Sequence, residues 1–238
     1  MVDPSALFPR DFPPRIVLYV CVAMTETEEK PQKAPKRLPS PLWPGIAADV
    51  KLLIDLVKKD VPITKETRLL EVGCGWGIYT FHLDRVCDVH GIDTSLEMLD
   101  RNPIDNTEVM DVRELRFDDD TFDVVFAHDM LHHVPELDTA IREMKRVSKR
   151  YVVVAEPNIL NLANFIISLA IPEERSAHRF TQWGLEDIVV RNGLRTLSVR
   201  TYGAFMPFLT PKMMVPLAKR LSFNQPLGLE HLVVAEKV

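Results

Sequence analysis

Beyond residue 41, the hydrophobic positions of the chain follow two alternating spacings. Short continuous apolar runs predict buried strands, whereas longer segments with an apolar residue every three or four positions predict helices. Strands are expected at 68–72, 89–92, 108–110, 122–127, 151–155, 195–202 and 229–237. Helices are expected at 46–59, 78–86, 96–101, 136–149 and 183–192. Strands alternating with helices indicate an α/β fold with a mostly parallel sheet covered on both faces.

Ligands of such sheets bind at the carboxyl ends of the strands, so the chemistry is expected just after each strand. The length of 238 residues favours one domain. Nine of the 18 prolines lie in residues 1–45. We therefore expect residues 1–41 to be a disordered, Pro-rich segment and residues 42–238 to form the folded domain.

The balance of charge gives no indication of a general nucleic-acid binder. The chain has 29 basic and 34 acidic residues, a net charge of −5, and so lacks the positive excess that neutralises phosphates. Three cysteines without a pairing pattern favour a reducing, cytoplasmic location. No apolar run reaches the ~20 residues of a transmembrane helix. Residues 16–23 follow two arginines but lack a cleavage site, so export is disfavoured, and translation from Met24 is an alternative hypothesis.

The predicted first strand runs directly into a glycine-rich loop, with Gly73, Gly75 and Gly77 at alternate positions. These glycines allow a tight turn and a close approach of the backbone to a ligand. A dinucleotide-binding turn needs the pattern G-x-G-x-x-G, which receives a pyrophosphate at a helix N-terminus. Its third glycine would stand at position 78, where this chain has Ile78. A nicotinamide-dependent oxidoreductase is therefore a disfavoured alternative.

Glu71 precedes these glycines and completes the pattern E-x-G-x-G-x-G. This pattern resembles the first motif of the class I S-adenosylmethionine-dependent methyltransferases. The resemblance covers residues 42–238 and is clearest over 68–158. It implies a Rossmann-like, seven-stranded sheet with the last strand antiparallel, S-adenosyl-L-methionine as cofactor, and methyl transfer to a small-molecule acceptor.

The resemblance also implies which residues hold the cofactor. They are Glu71, Gly73, Cys74, Gly75, Gly77, Asp93, Thr94, Met98, Asp111, Val112 and His128. The glycine loop would lie beside the methionine part, with Glu71 supporting it. Asp93 would accept hydrogen bonds from the ribose hydroxyls, which suit an ionised carboxylate. Thr94 and Met98 would flank the adenine, and Asp111 would accept from its amino group, with the Val112 amide nearby.

The fourth predicted strand opens into a histidine-rich segment that offers candidates for acid–base chemistry. Histidine suits proton transfer near neutral pH, so His128 is the first candidate for a catalytic base or acceptor contact, and His132 and His133 are second choices. The structural alternative is that this segment only starts a helix. Metal binding by residues four apart on one helical turn, such as His128 with His132, is also conceivable. No Cys or Glu-x-x-His element supports it, and no metal is expected.

Two motifs found in similar methyltransferases are absent. The Asn/Asp-Pro-Pro-Tyr motif of nucleobase methylation does not follow the fourth strand, which makes base methylation an unfavoured reading. The stretch before the fifth strand, Ser148–Arg150, contains no glycine, so its turn must be built differently.

Two long segments, residues 157–179 and 203–228, are predicted to cover the acceptor site. Their apolar content favours a hydrophobic or lipid-like acceptor. Lys219 and Arg220 are candidates for contact with a membrane surface, and His178 and Arg179 for polar contacts in the pocket. The structural alternative is that both segments only pack on the sheet. A catalytically silent partner subunit is the second functional class considered, and the oligomeric state is left open.

Overall fold

A computed structural model describes residues 40–170, 174, 176–177, 180–204, 206–221 and 226–238. Its seven-stranded sheet has the order β3-β2-β1-β4-β5-β7-β6. The strands are β1 (Arg68–Val72), β2 (Asp88–Asp93), β3 (Thr107–Val109), β4 (Phe122–His128), β5 (Ser148–Pro157), β6 (Leu194–Tyr202) and β7 (Glu230–Lys237). The first five strands are parallel, and β7 is antiparallel to both neighbours. The predicted α/β fold with an antiparallel last strand is confirmed. The disorder predicted for residues 1–41 falls almost entirely outside the described residues.

The five predicted helices are present, three of them shorter than expected and two shifted by one or two residues, and two further helices lie in the covering segments. The helices are α1 (Pro44–Val57), α2 (Thr80–Leu83), α3 (Leu96–Leu99), α4 (Leu137–Val147), α5 (Leu162–Ala170), α6 (Gln182–Arg191) and α7 (Val215–Leu221). Ser95 caps α3 as predicted, with its hydroxyl accepting from the Met98 amide at 3.3 Å. Gly193 follows α6 in the predicted left-handed conformation, with φ +77°. The prediction of a helix from residue 78 was wrong, because the turns of the glycine loop extend to Tyr79.

The sheet buries both of its faces. One face packs under α4 and α6, whose apolar stripes include Ile141, Met144 and Leu185, all fully buried. The opposite face packs under α1 through Leu53 and Val57. Truncating such a core side chain to alanine typically costs about 2–5 kcal/mol, so these helices hold the strand ends firmly in place.

The glycine-free connection before β5 is made without a loop. Helix α4 ends at Val147 and β5 begins at Ser148. A register irregularity follows, since Phe122 pairs with Ser148 but Val124 pairs with Tyr151. The Ser148 hydroxyl donates to the Tyr151 carbonyl at 2.9 Å. This bulge, rather than a glycine turn, lets the helix enter the strand directly.

The first covering segment contains α5, which is fixed on one face by asparagines. Asn158, Asn161 and Asn164 donate side-chain hydrogen bonds of 2.7–3.0 Å to carbonyls of residues 226–229. The other face exposes apolar side chains at helical spacing, namely Leu162, Phe165, Ile166 and Leu169. No helix in the described part of the chain is long and apolar enough to cross a membrane.

Candidate active site

The glycine loop after β1 has all three glycines in the left-handed region, with φ of +72°, +49° and +85° at Gly73, Gly75 and Gly77. A Cβ on Gly73 would lie 2.6 Å from the Met130 side chain, and one on Gly77 would lie 2.3 Å from Asn102. At Gly75, the nearest atom to a Cβ would be an Asp93 carboxylate oxygen at 4.0 Å. Gly73 and Gly77 thus allow close packing of the protein, whereas Gly75 leaves open space beside a carboxylate.

Asn102 holds this loop and was missed by sequence reasoning. Its amide nitrogen donates to the Gly75 carbonyl and to the Thr80 hydroxyl, both at 3.2 Å. It also contacts the buried thiol of Cys74 at 3.7 Å. An asparagine beyond the third helix carries no recognisable signal, because its partners lie more than 20 residues earlier in the chain. Cys74 therefore packs beneath the loop.

Asp93 ends β2 and faces the glycine loop. Its carboxylate accepts from the backbone amides of Gly75 at 2.9 Å and Ser95 at 2.8 Å. Burial raises its pKa, against the lowering effect of these amides. Each carboxylate oxygen can accept a second hydrogen bond, so both remain able to bind a hydroxyl group.

Asp111 lies at the neighbouring strand tip, two residues after Val109, which pairs with Asp93. Its carboxylate is bound by the Arg113 guanidinium at 2.7–3.1 Å and by the Arg113 amide at 2.8 Å. These hydrogen bonds hold its pKa below the ordinary value. The structure therefore brings the two predicted acids to adjacent tips, and it gives one of them an internal cation as partner.

The predicted neighbours of the adenine differ in exposure. Met98 and Val112 are buried, whereas Thr94 is exposed. Met98 lies in α3, whose N-terminus follows directly from Asp93 through Thr94 and Ser95. Their assignment to the adenine stays a prediction.

Glu71 is buried beneath the loop, and one of its carboxyl oxygens, Oε2, has no hydrogen-bond partner among the described residues. Burial raises its pKa to about 8, with the nearby Asp93 charge adding to the shift and a Thr80 hydrogen bond opposing it. The carboxyl group is therefore mostly protonated at neutral pH. It can donate one hydrogen bond as well as accept, and its unpartnered oxygen lies under the predicted cofactor loop.

His128 ends β4 with its side chain almost entirely buried. Its Nε2 lies 2.8 Å from the Tyr79 hydroxyl and 3.3 Å from the Tyr202 hydroxyl. Burial lowers its pKa to about 3, which keeps the ring neutral. Sequence reasoning missed both tyrosines, since one follows the glycine loop and the other ends β6.

A group of carboxyls surrounds His128. Its ring, Asp129 and Glu230 each offer a polar atom within 4.8 Å of the others. Asp129 has an unusual positive φ of 49°. Partial enclosure and the Glu156 charge raise its pKa to about 7, and burial and the Asp129 charge likewise raise the pKa of Asp49 in α1 to about 7. The site therefore concentrates carboxyls that exchange protons near neutral pH.

His132 belongs to a separate ionic cluster. Its Nδ1 lies 2.7 Å from the fully buried Glu156, and its Nε2 lies 3.2 Å from Glu174. Glu156 also accepts from the Met130 and Leu131 amides. Burial opposes a charge on His132, but these two carboxylates outweigh it and raise its pKa to about 10.

His133, the other predicted catalytic residue, is exposed at the surface of this cluster. Desolvation and the neighbouring His132 lower the pKa of His133 to about 4.

The backbone around these histidines is not an α-helix, because residues 131–133 form a 3-10 turn and Asp129 lies outside any helix. The idea that ligands four apart share a helical turn was therefore wrong. His178 and Arg179 lie outside the described residues.

Comparison with known proteins finds that the part of the chain carrying these strand tips is similar to methyltransferases. Residues 70–154 match the model of a methyltransferase domain. This matched stretch contains the glycine loop, Asp93 and Asp111, and is similar to the methyltransferase domain. The fold of the chain is similar to that of an S-adenosylmethionine-dependent methyltransferase of Thermotoga maritima, at TM-score 0.63 and 16% identity over 82% of this chain and 91% of the other. An Aquifex aeolicus methyltransferase is similar at TM-score 0.58 and 18% identity, covering 100% of both chains.

Two curated methyltransferases match part of the chain. Phosphatidylethanolamine N-methyltransferase of Cereibacter sphaeroides is 39% identical over 93 residues, which cover 35% of this chain and 46% of that protein. Demethylmenaquinone methyltransferase of Staphylococcus aureus is 36% identical over 104 residues, covering 39% and 43% respectively. The chain thus spans less than half the length of these relatives.

S-adenosylmethionine, the cofactor named for the similar structures, fits the residues present. Gly75 leaves open space beside Asp93, where a side chain would intrude. The unpartnered oxygen of Glu71 lies beneath the same loop. Neither the loop nor Asp93 presents a cationic side chain for a pyrophosphate, and the loop lacks the third glycine of the dinucleotide pattern. The residues that would hold S-adenosylmethionine are therefore the glycine loop, Asp93 and the adjacent strand tips.

Proposed function

We propose that this protein transfers a methyl group from S-adenosylmethionine to a small, lipid-like acceptor whose reacting group enters the carboxyl and histidine cluster after β4. One observation carries the proposal. Met130 packs against Gly73 in the glycine loop, and the preceding Asp129 belongs to the cluster around His128. The tip of β4 therefore stands between the cofactor loop and the cluster, as a transfer site requires.

When bound, the cofactor supplies an activated methyl group. The protein has to align the acceptor and, where needed, take its proton. His128 is neutral but holds a proton weakly, because its pKa is about 3. Asp129, with a pKa of about 7, is better matched to neutral pH. We assign the proton acceptor role to Asp129 and an acceptor contact to His128, oriented by Tyr79 and Tyr202.

The proposed acceptor class depends on the covering segments. The exposed apolar face of α5 comprises Leu162, Phe165, Ile166 and Leu169. A short helix with such a face suits the interface of a membrane, where a lipid acceptor would be found. The names of the two curated relatives, phosphatidylethanolamine and demethylmenaquinone methyltransferase, both refer to lipids and support this class.

The test is methyl transfer from labelled cofactor into a total lipid extract, with products identified by mass spectrometry. We expect a labelled lipid with the unaltered protein and at least tenfold less with Asp129→Asn. Asp100→Asn, an exposed acid after α3, is the matched control. Label found only in water-soluble products would refute the lipid class. Bound cofactor without any labelled product, in lipid or water-soluble extracts, would favour a silent partner subunit.

A vesicle assay tests the membrane contact separately. The double variant Leu162→Gln, Ile166→Gln should lose sedimentation with phospholipid vesicles, because both side chains are more than half exposed. Leu227→Gln, exposed but outside α5, should sediment like the unaltered protein. Equal sedimentation of all three proteins would exclude α5 as the contact.

A further inference from the structure

The histidine and glutamate cluster after β4 has a geometry that its ion pairs do not fully explain. His132 is 3% exposed, and its Nδ1 is bound by Glu156. Its Nε2 is also buried, and no hydrogen bond is completed to it within the described parts of the chain. The Glu174 carboxylate lies 3.2 Å from this nitrogen. This buried ring nitrogen thus forms an ion pair with an acid, without a well-formed hydrogen bond between them.

His133 offers a third metal-ligand atom beside those of His132 and Glu174. One ligand atom each from His132, His133 and Glu174 lies within 4.8 Å of the others. Donors around a tetrahedral Zn²⁺ are separated by roughly 3.3 Å, given bonds of about 2.0–2.1 Å. The three atoms are thus close to that spacing, and the rings of His132 and His133 already pack against each other, with their centroids 3.9 Å apart. We propose that His132, His133 and Glu174 form a binding site for a divalent transition-metal ion of the Zn²⁺ type.

Glu156 supports this assignment, because it binds the His132 ring nitrogen that does not face Glu174. Metal-binding histidines usually donate their second ring N–H to a carboxylate, which fixes the ring and its tautomer. Glu156 accepts from Nδ1 at 2.7 Å and is itself held by the Leu131 amide at 2.7 Å. A metal ion that displaced the Nε2 proton of His132 would therefore find this nitrogen already facing Glu174. Glu156 is a positioning residue here, not a ligand.

The charges and ligand types favour a divalent cation. Glu156 and Glu174 bring two negative charges to the cluster, and a bound divalent ion with a neutral His132 would balance them. Two imidazole nitrogens and one carboxylate oxygen suit Zn²⁺ and similar ions. Three protein ligands leave a fourth position open for water or another small ligand. This site does not depend on the proposed methyl transfer, and it is an alternative to the expectation that the chain binds no metal.

The test is a titration of the tag-free full chain with Co²⁺, followed by displacement with Zn²⁺. We expect one equivalent of Co²⁺ to produce visible absorption bands, which Zn²⁺ abolishes. The variants His132→Gln, His133→Gln and Glu174→Gln should each bind at least tenfold more weakly. His90→Gln, whose side chain pairs with Glu108 on the far side of β1, should bind like the unaltered protein.

His133→Gln decides between a metal site and a plain ion-pair cluster. Its side chain is exposed and leaves the contacts of His132 with both glutamates intact, so this variant should fold even where His132→Gln does not. Circular dichroism checks the fold of each protein. Absence of Co²⁺ bands at tenfold excess, or binding that His133→Gln and Glu174→Gln leave unchanged, would overturn the proposal.

Discussion

The two halves of the site are built in different ways. The cofactor half consists of neighbouring strand tips and a glycine loop, and its contacts run mainly through backbone amides, as between Asp93 and Gly75. The proposed acceptor half collects ionisable side chains around His128, from α1, β4 and β7, and the separate His132 cluster with Glu156 and Glu174 lies after the same strand. Backbone contacts among tips cost little desolvation, whereas buried charges are costly unless they are paired. The acceptor half is therefore the part of the molecule where substitutions should alter stability and pH response most.

The largest effect is expected from Glu156→Gln. This change removes the charge that neutralises buried His132, and breaking a buried ion pair by removing one partner typically costs about 3–5 kcal/mol. The free energy of unfolding, measured with urea, should fall by that amount. Glu108→Gln, which affects the half-exposed pair with His90, should cost at most about 1 kcal/mol. Equal losses in both variants would remove the contrast between the two halves.

The second effect is a pH dependence in Asp49→Asn. The pKa of Asp49 is raised to about 7 from 3.8, so the folded state retains a proton that the unfolded state releases. Stability from this group therefore falls as pH rises from about 4 to 7, and the cost is complete above that range. The Asp49→Asn variant has no carboxyl at this position, so its stability does not fall with pH for this reason.

Its advantage in unfolding free energy over the unaltered protein should grow from near zero at pH 4 to as much as about 4 kcal/mol at pH 8. Chemical denaturation at a series of pH values measures the difference. Asp55→Asn on the exposed face of the same helix is the control and should show no such trend. An advantage that is constant with pH would contradict the raised pKa.

The third prediction compares Gly75 and Gly77, two glycines of the same loop that are expected to have different roles. Gly77→Ala adds the strain of a left-handed alanine, about 1–2 kcal/mol, and a clash with Asn102 at 2.3 Å that adds at least about 1 kcal/mol. We expect a loss of about 2–3 kcal/mol in unfolding free energy. Gly75→Ala should show only the backbone strain, yet lose at least tenfold in cofactor affinity because its methyl group enters the space beside Asp93. Similar affinities in the two variants would remove Gly75 from the binding surface.

The smallest effect concerns the cofactor acids. Asp93→Ala should weaken S-adenosylmethionine binding by about 1–3 kcal/mol, the scale of lost charged hydrogen bonds, as measured by calorimetry. Asp111→Ala should cost less, because Arg113 already occupies both of its carboxylate oxygens. A larger loss of cofactor affinity in Asp111→Ala than in Asp93→Ala would show that the bound ligand displaces the Arg113 guanidinium from Asp111.

The sequence predicted the strands, the glycine loop and the acids at the tips of β2 and β3, because each is a local pattern of apolar runs and turn residues. It did not predict Asn102, Tyr79, Tyr202 or the partners of His132. These side chains meet only through the packing of elements far apart in the chain, as Glu174 meets His132. Periodicity and motif spacing carry no information about such encounters, and the exposure of His133 could not be known before the turn at residues 131–133 was seen.

The asparagines beneath α5 have a mechanical consequence. The Asn164 side chain donates a hydrogen bond to the Leu229 carbonyl at 2.7 Å, and the Asn158 side chain donates to the Gly228 carbonyl at the same distance. Leu229 is followed at once by Glu230, a member of the cluster around His128. Side-chain hydrogen bonds thus join the helix and the residues before it to the start of β7. A displacement of α5 is therefore expected to move Glu230 as well, which would link the exposed apolar face of the helix to the interior carboxyls.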